Sequence, residues 1–75
     1  MEMQNGLTDL QNAVRILRRR QVEHCTGLSR SELYRQIARG EFPRQVRIGR
    51  KSVGWVEAEI QEYLAQRVAE SRKAA

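Results

Sequence analysis

Three side chains four positions apart, Ser31, Arg35 and Arg39, have the types and spacing best suited to chemistry. On a helix over residues 30–39, this spacing puts the hydroxyl and both guanidinium groups on one face. A guanidinium fork pairs with guanine edges, and a hydroxyl donates to a base or a phosphate. We therefore expect all three to contact nucleic-acid bases, with Arg35 as the first candidate. The alternatives are a phosphate contact for Arg35 and a merely solvated Ser31.

Further polar side chains flank this face or follow it in the sequence. Arg30 and Tyr34, on the flank of the helix, are expected to bind phosphate, which positions a helix without reading the base sequence. Two adjacent cations in the segment 49–52 are expected to contact phosphate or a narrow minor groove, which attracts arginine. The alternatives are an exposed turn without contacts and a tyrosine ring buried beside Leu33. The backbone or wing candidates are Arg30, Tyr34, Arg47, Arg50 and Lys51.

A tight corner precedes these residues. Gly27 is suited to the left-handed backbone conformation that ends a helix. Ser29 has the features of the next helix N-cap, with Glu32 placed to complete a reciprocal capping box. Leu28 and Leu33 have the spacing of a hydrophobic staple. The pattern predicts a helix-turn-helix, and we expect Glu32 to be a cap partner of Ser29 rather than a cytosine reader.

The two helices of this corner are predicted over residues 20–26 and 30–39. Val22 and Cys25 are expected to face inward from the first helix, and Leu33 and Ile37 from the second. Ahead of them, the apolar patch Val14, Ile16 and Leu17 has the composition of a short strand.

After Gly40, the pattern changes from helical to extended. Pro43 prevents helix continuation, and the alternation around Val46 and Ile48 predicts a strand buried on one side. A polar tip over residues 49–52 leads to a second strand, so the segment is predicted to be a β-hairpin wing. Two strands alone are marginal in water. Its packing face is expected to consist of Val46, Ile48, Val53 and Trp55, with Phe42 also in the core.

A last helix is predicted over residues 56–68, with one apolar stripe formed by Val56, Ile60, Tyr63, Leu64 and Val68. The predicted fold is mainly α with a small β-hairpin, a winged helix-turn-helix of three helices and a two- or three-stranded wing. We expect a flexible extension over residues 1–13, a DNA-binding domain over 14–69 and a disordered tail over 70–75.

The charge distribution supports a polyanionic partner. The net charge is +5, yet residues 15–51 alone hold eleven Lys and Arg against three Glu. Twelve of the fourteen cations are arginine, whose planar fork suits phosphate and guanine. A basic surface that serves only solubility is the alternative.

No apolar run approaches the roughly 18 to 20 residues that span a bilayer. With a single cysteine, Cys25, we expect a cytoplasmic, nucleoid-associated protein and no membrane partner.

Catalytic and metal chemistry find little support. His24 and Cys25 are neighbours on a helix and point in different directions. A zinc site needs four ligands, and the chain has no second His or Cys. The only Asp is Asp9, so a Ser-His-Asp triad is not expected. We expect no enzyme activity, no metal, no cofactor and no small-molecule substrate.

From Ile16 to about residue 68, the chain resembles the AlpA family of prophage regulators, within the MerR-like winged helix-turn-helix group. The resemblance is carried by residues 26–31, 33–35, 40–43, 46–49, 53–55, 57 and 59–60 in this order and spacing. It implies a sequence-specific protein of a prophage or integrated element that binds double-stranded DNA. Transcriptional regulation and excisionase activity (as a recombination directionality factor) are the two implied outputs.

Candidate partners besides DNA are further copies of the chain on tandem sites and an integrase. The alternative from another functional class is a protein-interaction adaptor that binds an integrase or repressor through the C-terminal helix. The apolar stripe of that helix favours this alternative, although core packing explains the stripe more simply.

Overall fold

The computed structural model describes residues 14–74, and within them it contains three helices and a small antiparallel sheet. This architecture is mainly helical and confirms the predicted winged helix-turn-helix. The predicted extension, residues 1–13, lies outside the described residues. In chain order the elements are β1 (Ile16–Leu17), α1 (Arg19–Thr26), α2 (Arg30–Ala38), β2 (Val46–Arg47), β3 (Val53–Val56) and α3 (Glu57–Ala74).

The sheet has the strand order β1-β3-β2, so β3 is central and pairs with both neighbours. Leu17 of β1 lies opposite Trp55, and Val46 of β2 lies opposite Gly54. At Gly54 a Cβ would lie 2.9 Å from the carbonyl oxygen of Leu17 and would also collide with the Ile16 side chain. The close approach of β1 therefore requires a glycine at this position.

The core lies between the sheet and the three helices. Each helix contributes one fully buried side chain: Val22 from α1, Leu33 from α2 and Ile60 from α3. Trp55 is also fully buried, and its indole N–H donates to the carbonyl oxygen of Pro43 over 3.1 Å. Leu17 and Phe42 complete the buried cluster. Burial of Trp55 and Phe42 confirms their predicted packing role.

Three side chains predicted to face inward are exposed instead. Cys25 lies on the solvent side of α1. This helix has only eight residues, and Val22 is the one of them that is buried in the core. Val46 and Ile48 are 36% and 44% exposed, since β2 is a two-residue edge strand with no layer over its outer part. The predicted inward packing of all three is therefore wrong.

The last helix is longer than predicted. It extends through Ala74, so residues 70–74, predicted to be a disordered tail, are helical. Beyond Leu64 every described side chain is exposed, and Val68 at 47% exposure does not belong to the buried stripe. Without Gly or Pro after Val68, local helix propensity is enough to continue the helix past its contact with the core.

We expect Ile60→Ala to destabilise the domain by about 2–5 kcal/mol, because it leaves a cavity in a fully buried site. Val68→Ala on the same helix should change stability by less than about 0.5 kcal/mol. Urea unfolding followed by circular dichroism measures both. Equal losses for the two variants would contradict the burial described for α3.

Candidate nucleic-acid interface

The corner between α1 and α2 is built from local hydrogen bonds. Gly27 has φ of 75°, and its N–H donates to the carbonyl oxygen of Glu23 over 2.8 Å. The Thr26 hydroxyl donates to the Val22 carbonyl oxygen and accepts from the Leu28 N–H. Gly27 thus ends α1 as predicted, and Thr26 ties the turn to the helix before it.

Both ends of α2 are capped. The Ser29 hydroxyl accepts from the Glu32 N–H over 3.2 Å, which confirms Ser29 as the N-cap. At the other end, the Gly40 N–H donates to the Ile37 carbonyl oxygen, and the Glu41 N–H donates to that of Gln36. This pair of bonds is the Schellman motif, which the left-handed φ of 73° at Gly40 allows. Helix α2 is therefore well defined over its nine residues.

The face of α2 that points away from the core matches the sequence prediction. Ser31 and Arg35 are exposed on this face, and Arg30 is exposed on the flank. Arg39, the C-cap residue that directly follows α2, is exposed as well. Tyr34 is half-buried, with its ring edge-on to Trp55 at a centroid distance of 6.3 Å. Its ring is therefore a packing group, as the alternative for this residue held.

The Glu32 carboxylate does not complete the predicted capping box. One oxygen accepts from Nη1 of Arg35 over 2.7 Å, and the other accepts from Nε2 of Gln36 over 3.1 Å. The second half of the predicted box is therefore wrong. A charged guanidinium one turn along the helix is a stronger partner for the carboxylate than a neutral backbone N–H.

Gln36 connects α2 to α3. Its side chain is only 6% exposed, and its Oε1 accepts from the Tyr63 hydroxyl over 2.7 Å. The Tyr63 ring is held edge-on against Phe42 at 4.6 Å, and the Arg67 guanidinium lies 5.6 Å from its centroid. The predictions did not include Gln36, although a polar residue beside Ile37 on the inner face of α2 was a visible signal.

The wing turn is closed by two backbone bonds, from the N–H groups of Ile48 and Gly49 to the Ser52 carbonyl oxygen. It presents exposed cations at Arg47, Arg50 and Lys51. Within residues 14–74, none of the three forms an ion pair. These side chains are therefore available to an anionic partner.

A groove of about 380 Å³ runs between the end of α2 and the wing. Its lining is Ile37, Arg44, Gln45, Arg47 and Val53. Arg44, which is exposed, was missing from the predicted interface. Its position directly after Pro43, in the segment that joins α2 to the wing, was the signal that could have identified it.

Other kinds of site are not apparent in the part of the chain that the structure describes. No three His, Cys, Asp or Glu side chains come together there as metal ligands. His24 and Cys25 are both exposed. Among residues 14–74, no helix combines the length and the apolar character needed to cross a membrane.

The sequence of this chain is similar to those of known proteins. The model of the family described as prophage CP4-57 regulatory protein (AlpA) matches residues 15–68. A protein of Enterobacteria phage P4, the uncharacterized protein ORF88, is 47% identical over 55 residues, which are 73% of this chain and 62% of that protein. The DNA-binding transcriptional activator AlpA of Escherichia coli K12 is 44% identical over 62 residues, which cover 75% of this chain and 89% of that protein. The matched segment contains the capped corner, the exposed face of α2, the wing and the start of α3, and the chain belongs to the AlpA family of prophage regulatory proteins.

Proposed function

We propose that the protein is a sequence-specific regulator of a prophage or integrated element that binds double-stranded DNA. The observation that carries this proposal is the outward face of α2, on which Ser31 and Arg35 are exposed and which the exposed C-cap residue Arg39 continues. The relative from Escherichia coli is named a DNA-binding transcriptional activator, and this name supports the same role here.

In the proposed complex, α2 lies in the major groove. Arg35 reads a guanine edge, with Ser31 and Arg39 on neighbouring bases. The first helix of the motif crosses the DNA backbone. Arg30 binds phosphate beside the groove, and the hydroxyl of Tyr34 has the same role while its ring stays packed on Trp55.

The wing contacts the DNA beside this groove. Arg50 and Lys51 at its tip bind phosphate or enter the minor groove, and Arg47 binds backbone. Arg44 belongs to the same surface, since it lines the groove between α2 and the wing. A contiguous set of cations from α2 to the tip would follow the DNA backbone and release its counterions.

Two outputs fit such a protein: transcriptional regulation and excision. One copy covers only a few base pairs, so specific recognition requires several copies on tandem or inverted sites. Cooperative binding to direct repeats with strong bending favours an excisionase, which would also contact an integrase. A single palindrome near a promoter favours an activator. In either role the protein acts in the cytoplasm, on the nucleoid.

A second candidate function is a protein-interaction adaptor. The exposed part of α3 from Ala65 to Ala74 favours it, because this half of the helix has no core to cover. Such an adaptor would bind an integrase or repressor through α3. Its function would survive simultaneous neutralisation of Arg35, Arg50 and Lys51, which would abolish DNA recognition.

Selection from a randomised duplex library at physiological salt tests the proposal. An enriched motif supports sequence-specific recognition, and its repeat spacing reports how many copies assemble and in which orientation. Retention without a motif contradicts specificity. A complete lack of retention rejects DNA binding and favours the adaptor.

Arg35→Ala should weaken binding to the selected site by about 1–3 kcal/mol and relax the preference at one base pair. The reason is the loss of a bidentate contact with guanine. Fluorescence anisotropy on duplexes with single base-pair changes measures both effects. If the loss were uniform across all duplexes, Arg35 would be a phosphate contact.

Lys51→Ala should weaken binding to every duplex similarly and reduce the slope of log K against log salt by about 1. Lys73→Ala is the matched control, since it removes the same charge from the far end of α3 and should leave the slope unchanged. A sequence-dependent loss for Lys51→Ala would argue against a phosphate role.

A further inference from the structure

A chain of hydrogen bonds runs from α3 to the exposed face of α2. The Tyr63 hydroxyl donates to Gln36, the Gln36 amide donates to Glu32, and Glu32 accepts from Arg35. This series of hydrogen bonds begins at the half-buried Tyr63, passes through Gln36, which is almost fully buried, and ends at the Arg35 side chain, which is 56% exposed. Arg35, at the solvent end of this series, is the first candidate for base contact.

The bond to Glu32 leaves Arg35 able to read a base. Among residues 14–74, the single hydrogen bond of the Arg35 side chain uses Nη1, over 2.7 Å. Within this part of the chain its other N–H groups are free, among them the pair of parallel donors that can face a guanine edge. A free arginine loses rotamer entropy when it binds in one geometry. Because Glu32 already restricts Arg35, part of that entropy loss has occurred before DNA arrives.

Glu32 also acts on DNA directly through its charge. It is the single acidic residue of α2, and its side chain is 33% exposed. A carboxylate on this face is repelled by phosphate whatever the base sequence, and it partly neutralises Arg35 as a phosphate ligand. Glu32 therefore weakens binding to any duplex that lacks a well-placed base contact to offset this repulsion.

We infer that Glu32, held in place by Gln36 and Tyr63, is a specificity-determining residue that positions Arg35 for one base and suppresses binding to other sequences. The inference rests on the proposed DNA recognition. Glu32 itself need not touch a base: it positions Arg35, its charge repels phosphate, and Tyr63 extends this control to the C-terminal helix.

The test compares the dissociation constants of Glu32→Gln for the selected duplex and for a scrambled duplex of equal length. The variant should bind the selected duplex more weakly and the scrambled duplex more tightly. The specificity ratio, which is the dissociation constant for the scrambled duplex divided by that for the selected one, should fall by about three- to tenfold. Glu70→Gln removes the same charge from the exposed end of α3 and should leave the ratio unchanged.

Two further variants separate positioning from a merely structural role. Tyr63→Phe keeps the ring against Phe42 but lacks the hydroxyl that holds Gln36, and it should lower the ratio in the same direction by a smaller factor. In an Arg35→Ala background, Glu32→Gln should no longer relax the preference at the base pair that Arg35 reads. Thermal unfolding of each variant identifies a temperature at which all are folded, and binding is compared there.

The outcomes are distinguishable. A wild-type ratio near one rejects the proposed function, and the role of Glu32 with it. A high wild-type ratio that Glu32→Gln leaves intact, or equal weakening on both duplexes, rejects the role of Glu32 alone. The same holds if Glu32→Gln relaxes that base preference equally with and without Arg35.

Discussion

The indole of Trp55 holds the sheet and the helices in one arrangement. It lies in the central strand and is fully buried, and its N–H is satisfied by the Pro43 carbonyl oxygen in the segment that leads from α2 to the wing. The edge of the Tyr34 ring packs against it from α2. A domain of this size has few buried side chains to share the task. The relation between the exposed face of α2 and the wing therefore depends on this one residue and its contacts.

The ion pairs on the surface contribute orientation rather than stability. Arg19 pairs with Glu23, and Arg35 pairs with Glu32, both within one or two helical turns. Surface pairs one turn apart on a helix contribute about 0.3–0.5 kcal/mol to folding. They do restrict a long, flexible guanidinium to a small set of positions. On the proposed DNA-binding surface, restricted cations would discriminate between base sequences better than free ones, which is the link proposed here between Glu32 and recognition.

Local chemistry was readable from the sequence, and packing was readable only in part. Gly27 and Ser29 were assigned correctly because helix ends depend on backbone conformation and nearby hydrogen-bonding groups. The exposure of Cys25 and Val46 was missed, since periodicity gives the direction of a side chain but not whether another layer covers it. Glu32 was misassigned because a capping box and an ion pair need the same spacing on a helix. Gln36 was missed because its hydrogen-bond partner, Tyr63, lies 27 residues later. Arg44 was missed because its place in the groove depends on how the loop after α2 brings it close to Val53 of β3.

The strand order has a consequence for how the protein is made. Ile16 pairs with Val56, forty positions later, and the Glu57 N–H donates to the Arg15 carbonyl oxygen over 2.7 Å. As the chain leaves the ribosome, β1 emerges early and cannot form its backbone pairing until β3 has been synthesised. The corner alone has no core to pack on, because Trp55 and Ile60 come later. A product truncated before β3 would thus carry the arginines of α2 on an unfolded chain, open to proteases, and the domain can fold only once Trp55 and Ile60 have been synthesised.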